Sequence, residues 1–152
     1  MTPRRLTAVA LAAATAAATL GAGTAQAAQH DQHDQRTAVR IGAVQYDSPG
    51  RDDRSNRSLN AEWVTLVNHS RRAVDLQGWT LTDDSHHSYR FHHLWLGAHR
   101  SVKVHTGQGH DTARNVYQDR RSYVWNNNRD TATLRDARGH VVDHESWGHH
   151  HR

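Results

Sequence analysis

Between Leu59 and Leu81 the chain reads LNAEWVTLVNHSRRAVDLQGWTL, and the period of its apolar residues leaves little choice of backbone. From Trp63 to Asn68, Val64 and Leu66 alternate with Thr65 and Val67, the period of two that sets one face of a pleated strand on a core. From Trp79 to Asp83, Trp79 and Leu81 alternate with Thr80 and Thr82 in the same way. A polar turn and the short Val74-Asp75-Leu76 link join the two runs, and Gly78 frees the backbone just before the second. A chain built around such a pair must supply further strands to cover its apolar face.

The remaining segments offer them. Val39–Tyr46 alternates imperfectly around Gly42, which predicts a bulge or a close backbone approach there. Asp47–Asn60 reads as a long polar loop, with a turn at Pro49-Gly50. Ser88–Phe91 places Tyr89 and Phe91 on one face, and Leu94–Leu96 leads into a turn at Gly97-Ala98. Ser101–Thr106 alternates cleanly, with Val102 and Val104 inward and Lys103 and His105 outward. Gly107–Asn115 reads as a polar loop, Tyr123–Trp125 as a short strand and Asn126–Asp130 as a turn. Thr131–Asp136 and Val141–Trp147 form a terminal hairpin about Ala137-Arg138-Gly139. No segment beyond the first 27 residues has a helical repeat. Eight or nine short strands at regular turn spacing predict an all-β sandwich.

The first 27 residues carry Arg4-Arg5, an Ala-rich apolar run from Leu6 to Leu20 and the small-x-small site Ala25-Gln26-Ala27. This is the pattern of a secretory signal peptide. Residues 28–38 then read as a disordered polar spacer, 39–147 as the sandwich and 148–152 as a His-rich tail. There is no cysteine, so stability in an exported domain must come from the core. The formal charge of +4 includes Arg4 and Arg5, so the exported chain is close to neutral and demands no nucleic-acid partner at pH 7. Its fifteen histidines all follow the cleavage site. Because an imidazole titrates near pH ~6.5, mild acid makes such a chain strongly cationic.

Five blocks in order resemble the lamin-tail domain, an immunoglobulin-like β-sandwich family: EWVTLVN at Glu62–Asn68, VDLQGWTLTD at Val74–Asp83, SYRF at Ser88–Phe91, VKVHTGQG at Val102–Gly109 and VWNNNRDTATLRDARGHVVD at Val124–Asp143. The resemblance extends over Val39–Trp147. It implies an immunoglobulin-like fold, a binding or scaffolding role and no shared catalytic residues to carry over, here in a secreted bacterial member. It also implies packing and turn roles for Trp63, Gly78, Trp79, Phe91, Trp125 and Asn126. Two departures fall in turns: Leu96-Gly97 where the family commonly has Pro-Gly, and Arg129 where it often has Gly.

Candidate chemistry is sparse. Cleavage after Ala27 would expose Ala28-Gln29-His30, whose amine, two amides and imidazole form a square-planar nitrogen set suited to copper or nickel. His149, His150 and His151 add a second metal-binding tract, for zinc or copper, although no cofactor is required. The pairs His86-His87 and His92-His93 read as solvated surface imidazoles ahead of zinc or copper ligands, since adjacent strand residues face opposite ways. His144-Glu145 lacks the second histidine of a zinc-protease helix, because position 148 is Gly. The aspartates at 47, 52, 53, 83 and 84 lack an EF-hand pattern and read as turn formers. Five tryptophans serve a core first, with Trp63 and Trp95 the ones expected at the surface. No G-x-S-x-G elbow anchors a nucleophile. The sequence therefore predicts a secreted, extracellular, non-catalytic binding module. Its partner is a protein or an extracellular polyanion, nucleic acid included, met by Arg71, Arg72, His86, His87, Arg120 and Arg121. Metal sequestration through the two His-rich termini is the alternative.

Overall fold

The computed structural model describes residues 38–148, and among these it contains ten strands and one short helix. The strands are β1 (Val39–Gln45), β2 (Trp63–Asn68), β3 (Val74–Asp75), β4 (Thr80–Thr82), β5 (Ser88–Arg90), β6 (Trp95–Leu96), β7 (Ser101–His105), β8 (Asn115–Tyr117), β9 (Arg129–Arg135) and β10 (Val141–Gly148). One sheet runs β1-β2-β7-β8, a second runs β10-β9-β4-β5, and β3 pairs with β6. Every pairing is antiparallel except β7 with β8. The two larger sheets are the layers of an immunoglobulin-like sandwich.

Alternation places the core. Val64 and Leu66 of β2, Val102 and Val104 of β7 and Val116 of β8 point inward from the first sheet. Leu81, Ala132 and Leu134 answer from the second, and Val74, Leu76, Trp79, Phe91 and Leu96 fill the space between. At β1 the register slips between Ile41 and Val44. Gly42 lies in that slip, where an added Cβ would stand 3.0 Å from Val67 Cγ2. The imperfect alternation thus marks both a bulge and a close approach.

Four local readings change. The polar stretch before β2 contains a helix, α1 (Asn56–Ala61). Six residues are too few to show a repeat, and caps hold it instead. Ser55 Oγ accepts the Ser58 N–H at 3.2 Å, and Asp53 Oδ1 accepts the Ser55 N–H at 2.9 Å. Tyr123–Trp125 is not a strand: the Val124 and Trp125 N–H groups bond to the Glu62 carboxylate, so a side chain replaces the ladder. Asn115, read as the end of a loop, opens β8, which shows only Val116 as an inward residue. Trp95–Leu96, read as a lead into a turn, pairs with Val74–Asp75. The Leu96-Gly97 turn keeps its shape through Asn68, whose Nδ2 donates to both carbonyls at 2.9 and 3.1 Å.

The signal peptide, nearly all of the 28–38 spacer and the tail at 149–152 lie outside the described residues. Among the described residues no helix is long and apolar enough to cross a membrane.

Candidate functional site

Because Val64, Leu66, Val102, Val104 and Val116 point into the core, their neighbours form the outer face of the first sheet. Cross-strand register arranges that face in rows. Trp63, His105 and Tyr117 form one row across β2, β7 and β8; Thr65, Lys103 and Asn115 form the next; Val67 and Ser101 begin the third.

The aromatic row is internally closed. The Lys103 ammonium lies 4.0 Å from the centroid of the Trp63 ring, a cation–π contact that covers it. His105 stacks on Tyr117 at 4.9 Å between ring centroids. The Gly109 backbone presses so closely on Tyr117 that no side chain could replace its hydrogen. His105 Nδ1 lies 2.8 Å from the Asn60 carbonyl. A carbonyl only accepts, so this nitrogen carries the proton, while Nε2 lies 2.9 Å from Asn115 Oδ1.

Beside this row a cavity of about 400 Å³ opens along β7. Thr65, Ser101 and Asn115 contribute neutral polar groups; His99, Arg100, Lys103 and Arg114 contribute basic ones. No carboxylate lines it. Among the described residues no ion pair engages Arg100, Lys103 or Arg114. Several cations held close together without a counter-charge raise the local positive potential, which favours an anion entering from solvent.

Turns assemble one end of this cavity. The His99 N–H donates to the Ser70 carbonyl at 3.2 Å, and the Asn68 N–H donates to the Arg100 carbonyl at 2.9 Å. Asn68 Nδ2 also reaches the Arg72 carbonyl at 2.7 Å. The exposed Arg71-Arg72 turn therefore lies beside His99 and Arg100, and two of the six expected polyanion residues join the basic face.

The other four collect elsewhere. The Arg120 N–H bonds to the Thr106 carbonyl and its guanidinium to the Ser88 carbonyl, each at 3.0 Å. This places Arg120 and Arg121 with His86 and His87 at the opposite end of β2, a six-residue strand about 17 Å long at the ~3.3 Å rise per residue. His87 is further committed to Asp83, with Nδ1 2.6 Å from Oδ2. The six residues thus fall into two groups. Lys103 was legible as outward-facing; Arg114 was not, since its approach to Lys103 depends on a parallel pairing that leaves no trace in the sequence.

Two of the aspartates read as turn formers, Asp53 and Asp83, accept nearby backbone N–H groups, and Asp136, outside that set, does the same. Asp83 accepts from the His87 N–H, and Asp136 from the N–H groups of Arg138 and His140. Burial pushes the Asp136 carboxyl up, but its hydrogen bonds from His140 and Arg138 outweigh that and hold it below the ordinary range. Tyr89 is pushed up to about 12 by burial, with Asp111 and Asp119 adding repulsion. Trp79 and Trp125 are buried, and Trp147 stacks on Tyr46 at 4.8 Å. Trp95 is 63% exposed, as expected, whereas Trp63 is half-buried beneath Lys103. Among the described residues no three His, Asp or Glu side chains gather as metal ligands. The expected metal residues Ala28, Gln29, His30, His149, His150 and His151 lie outside the described residues.

The chain matches none of the curated proteins with which it was compared. A family model described as Lamin Tail Domain matches residues 32–149, most of the chain and all ten strands of the sandwich. The chain belongs to the Lamin Tail Domain family, and its two larger sheets form the immunoglobulin-like sandwich of that family.

Proposed function

We propose that this domain is a secreted, non-catalytic interaction module that binds extracellular polyanions on the outer face of its first sheet. The observation that carries the reading is the group Arg100, Lys103 and Arg114, three cations converging on one cavity with no ion-pair partner among the described residues. Arg71 and Arg72 extend the positive surface past the sheet end, so a polymer longer than the cavity continues to meet charge. Binding displaces counterions, and its affinity falls as salt rises. His99 lies in the cavity wall, and in a chain with fifteen histidines mild acid raises the positive charge, which strengthens attraction to a polyanion.

The test is retention on immobilised heparin at pH 5.5 and pH 7.5 across a salt series. Tighter retention at pH 5.5, lost with salt, is the expected result. Failure to bind heparin or DNA at either pH overturns the reading. The Ala28-Gln29-His30 sequence supports a second reading, copper or nickel capture at the N-terminus after cleavage.

A further inference from the structure

The geometry points to a site for tetrahedral oxyanions, the sulfate or phosphate groups of a polymer, in the cavity between Thr65, Ser101, Lys103 and Arg114. This inference rests on the polyanion reading and narrows its ligand chemistry.

Three features select such a group. First, the cavity's polar groups are spread over three strands. Thr65 belongs to β2, Ser101 and Lys103 to β7, and Asn115 to β8 with Arg114 just before it. Neighbouring strands stand about 4.8 Å apart, so the donors are spaced across the sheet face and do not form one planar fork. An ester sulfate or phosphate presents three free oxygens in different directions and can meet donors spaced in this way. A carboxylate presents two coplanar oxygens and is met best by a planar fork. Second, the donors are available. The Thr65 and Ser101 hydroxyls and the Arg100 and Arg114 guanidinium groups have no hydrogen-bond partner among the described residues, and the Lys103 ammonium meets only the Trp63 ring. Third, the adjoining aromatic row offers no open ring on which a nucleobase could stack. Lys103 covers Trp63, while His105 and Gly109 enclose Tyr117. Recognition of single-stranded nucleic acid ordinarily combines phosphate contacts with open aromatic platforms. Here only the phosphate half is provided, so the site distinguishes the charged group and ignores the base.

The experiment is an amide NMR titration of the full exported chain with sodium sulfate, sodium phosphate and sodium acetate at matched ionic strength. Sulfate or phosphate is expected to give saturable shifts centred on Thr65, Ser101, Lys103 and Asn115, with acetate giving none. Arg114→Gln, at an exposed position, weakens oxyanion binding by about tenfold. Lys103→Met does the same, and if loss of the Trp63 contact impairs its folding, Arg114→Gln decides alone. Equal shifts with acetate, or oxyanion affinity unchanged in Arg114→Gln, overturn the inference.

Polymer measurements separate this inference from the reading beneath it. Dextran sulfate or polyphosphate retained equally by wild type and Arg114→Gln overturns the cavity site and leaves the polyanion reading standing. Saturable sulfate shifts without retention of any polymer support the cavity site and overturn the polymer reading. Comparing dextran sulfate with polyphosphate identifies the source of the group. An oligothymidylate and its abasic counterpart should bind equally; marked preference for the base-bearing strand contradicts the inference.

Discussion

The Thr106 hydroxyl donates to Glu62 Oε1 at 2.6 Å inside the sandwich, and the same oxygen accepts the N–H groups of Val124 and Trp125 at 2.9 and 3.3 Å. Glu62 is 1% exposed and ends α1 as β2 begins. A single carboxyl oxygen thus ties the end of β7 and the irregular segment before β9 to the start of β2. Burial pushes this carboxyl above its ordinary value, the hydrogen bonds pull it down by less, and the charge of Asp52 adds to the rise.

Raising the native value favours the protonated form on folding. Stability from this group is full below the unfolded value of about 4.3 and falls as pH rises towards the raised native value. Glu62→Gln keeps an acceptor without the charge. Its stability relative to wild type should therefore improve as pH rises from 4 to 7, as read by thermal melts across that range. Glu62→Leu orphans three donors and should lose about 3 kcal/mol or more.

Asp136 has the opposite sign. Its lowered native value makes a contribution that is complete above the unfolded value of about 3.9 and is lost as pH falls through the native one. Asp136→Ala should lose about 1–2 kcal/mol at pH 7, with the deficit shrinking towards pH 2. Urea unfolding at the two pH values checks this.

Alternation along β2 can be tested with two neighbours. Leu66 is fully buried, and Leu66→Ala should cost about 3 kcal/mol. Thr65, one position away, faces outward, and Thr65→Ala should change stability by no more than about 0.5 kcal/mol. Equal losses in chemical denaturation would contradict the assigned faces.

Gly78 has φ +78°, and its N–H donates to the Phe91 carbonyl at 2.9 Å. A Cβ would stand 3.1 Å from an Arg90 guanidinium nitrogen and 3.3 Å from Ala137 Cβ. Gly78→Ala should therefore lose about 1–2 kcal/mol from left-handed backbone strain, measured by thermal melt.

For the N-terminal copper reading, the secreted protein should begin at Ala28 and bind one copper ion tightly, with the affinity lost in His30→Ala. Intact mass and N-terminal sequencing establish the terminus before the titration. Equal copper binding by wild type and His30→Ala removes the idea.

Alternation is a local property, set by which side of the backbone each successive residue leaves. Val64 and Leu66 in β2 and Val102 and Val104 in β7 therefore announced both their strands and their inward faces, and the family blocks supplied the order of the sandwich. α1 and β8 were hidden because a six-residue capped helix and a three-residue strand are shorter than the repeats that would reveal them. The candidate site was harder still to read. Arg114 reaches Lys103 through a parallel pairing, and Arg71 and Arg72 reach His99 through hydrogen bonds between distant turns laced by Asn68. Arg120 and Arg121, alike in composition, were carried to the other end by bonds to Thr106 and Ser88. Residue type and period are written in the chain within a few positions. Which cations share a cavity depends on pairings between segments far apart in sequence, and those pairings exist only once the sheets have closed on their core.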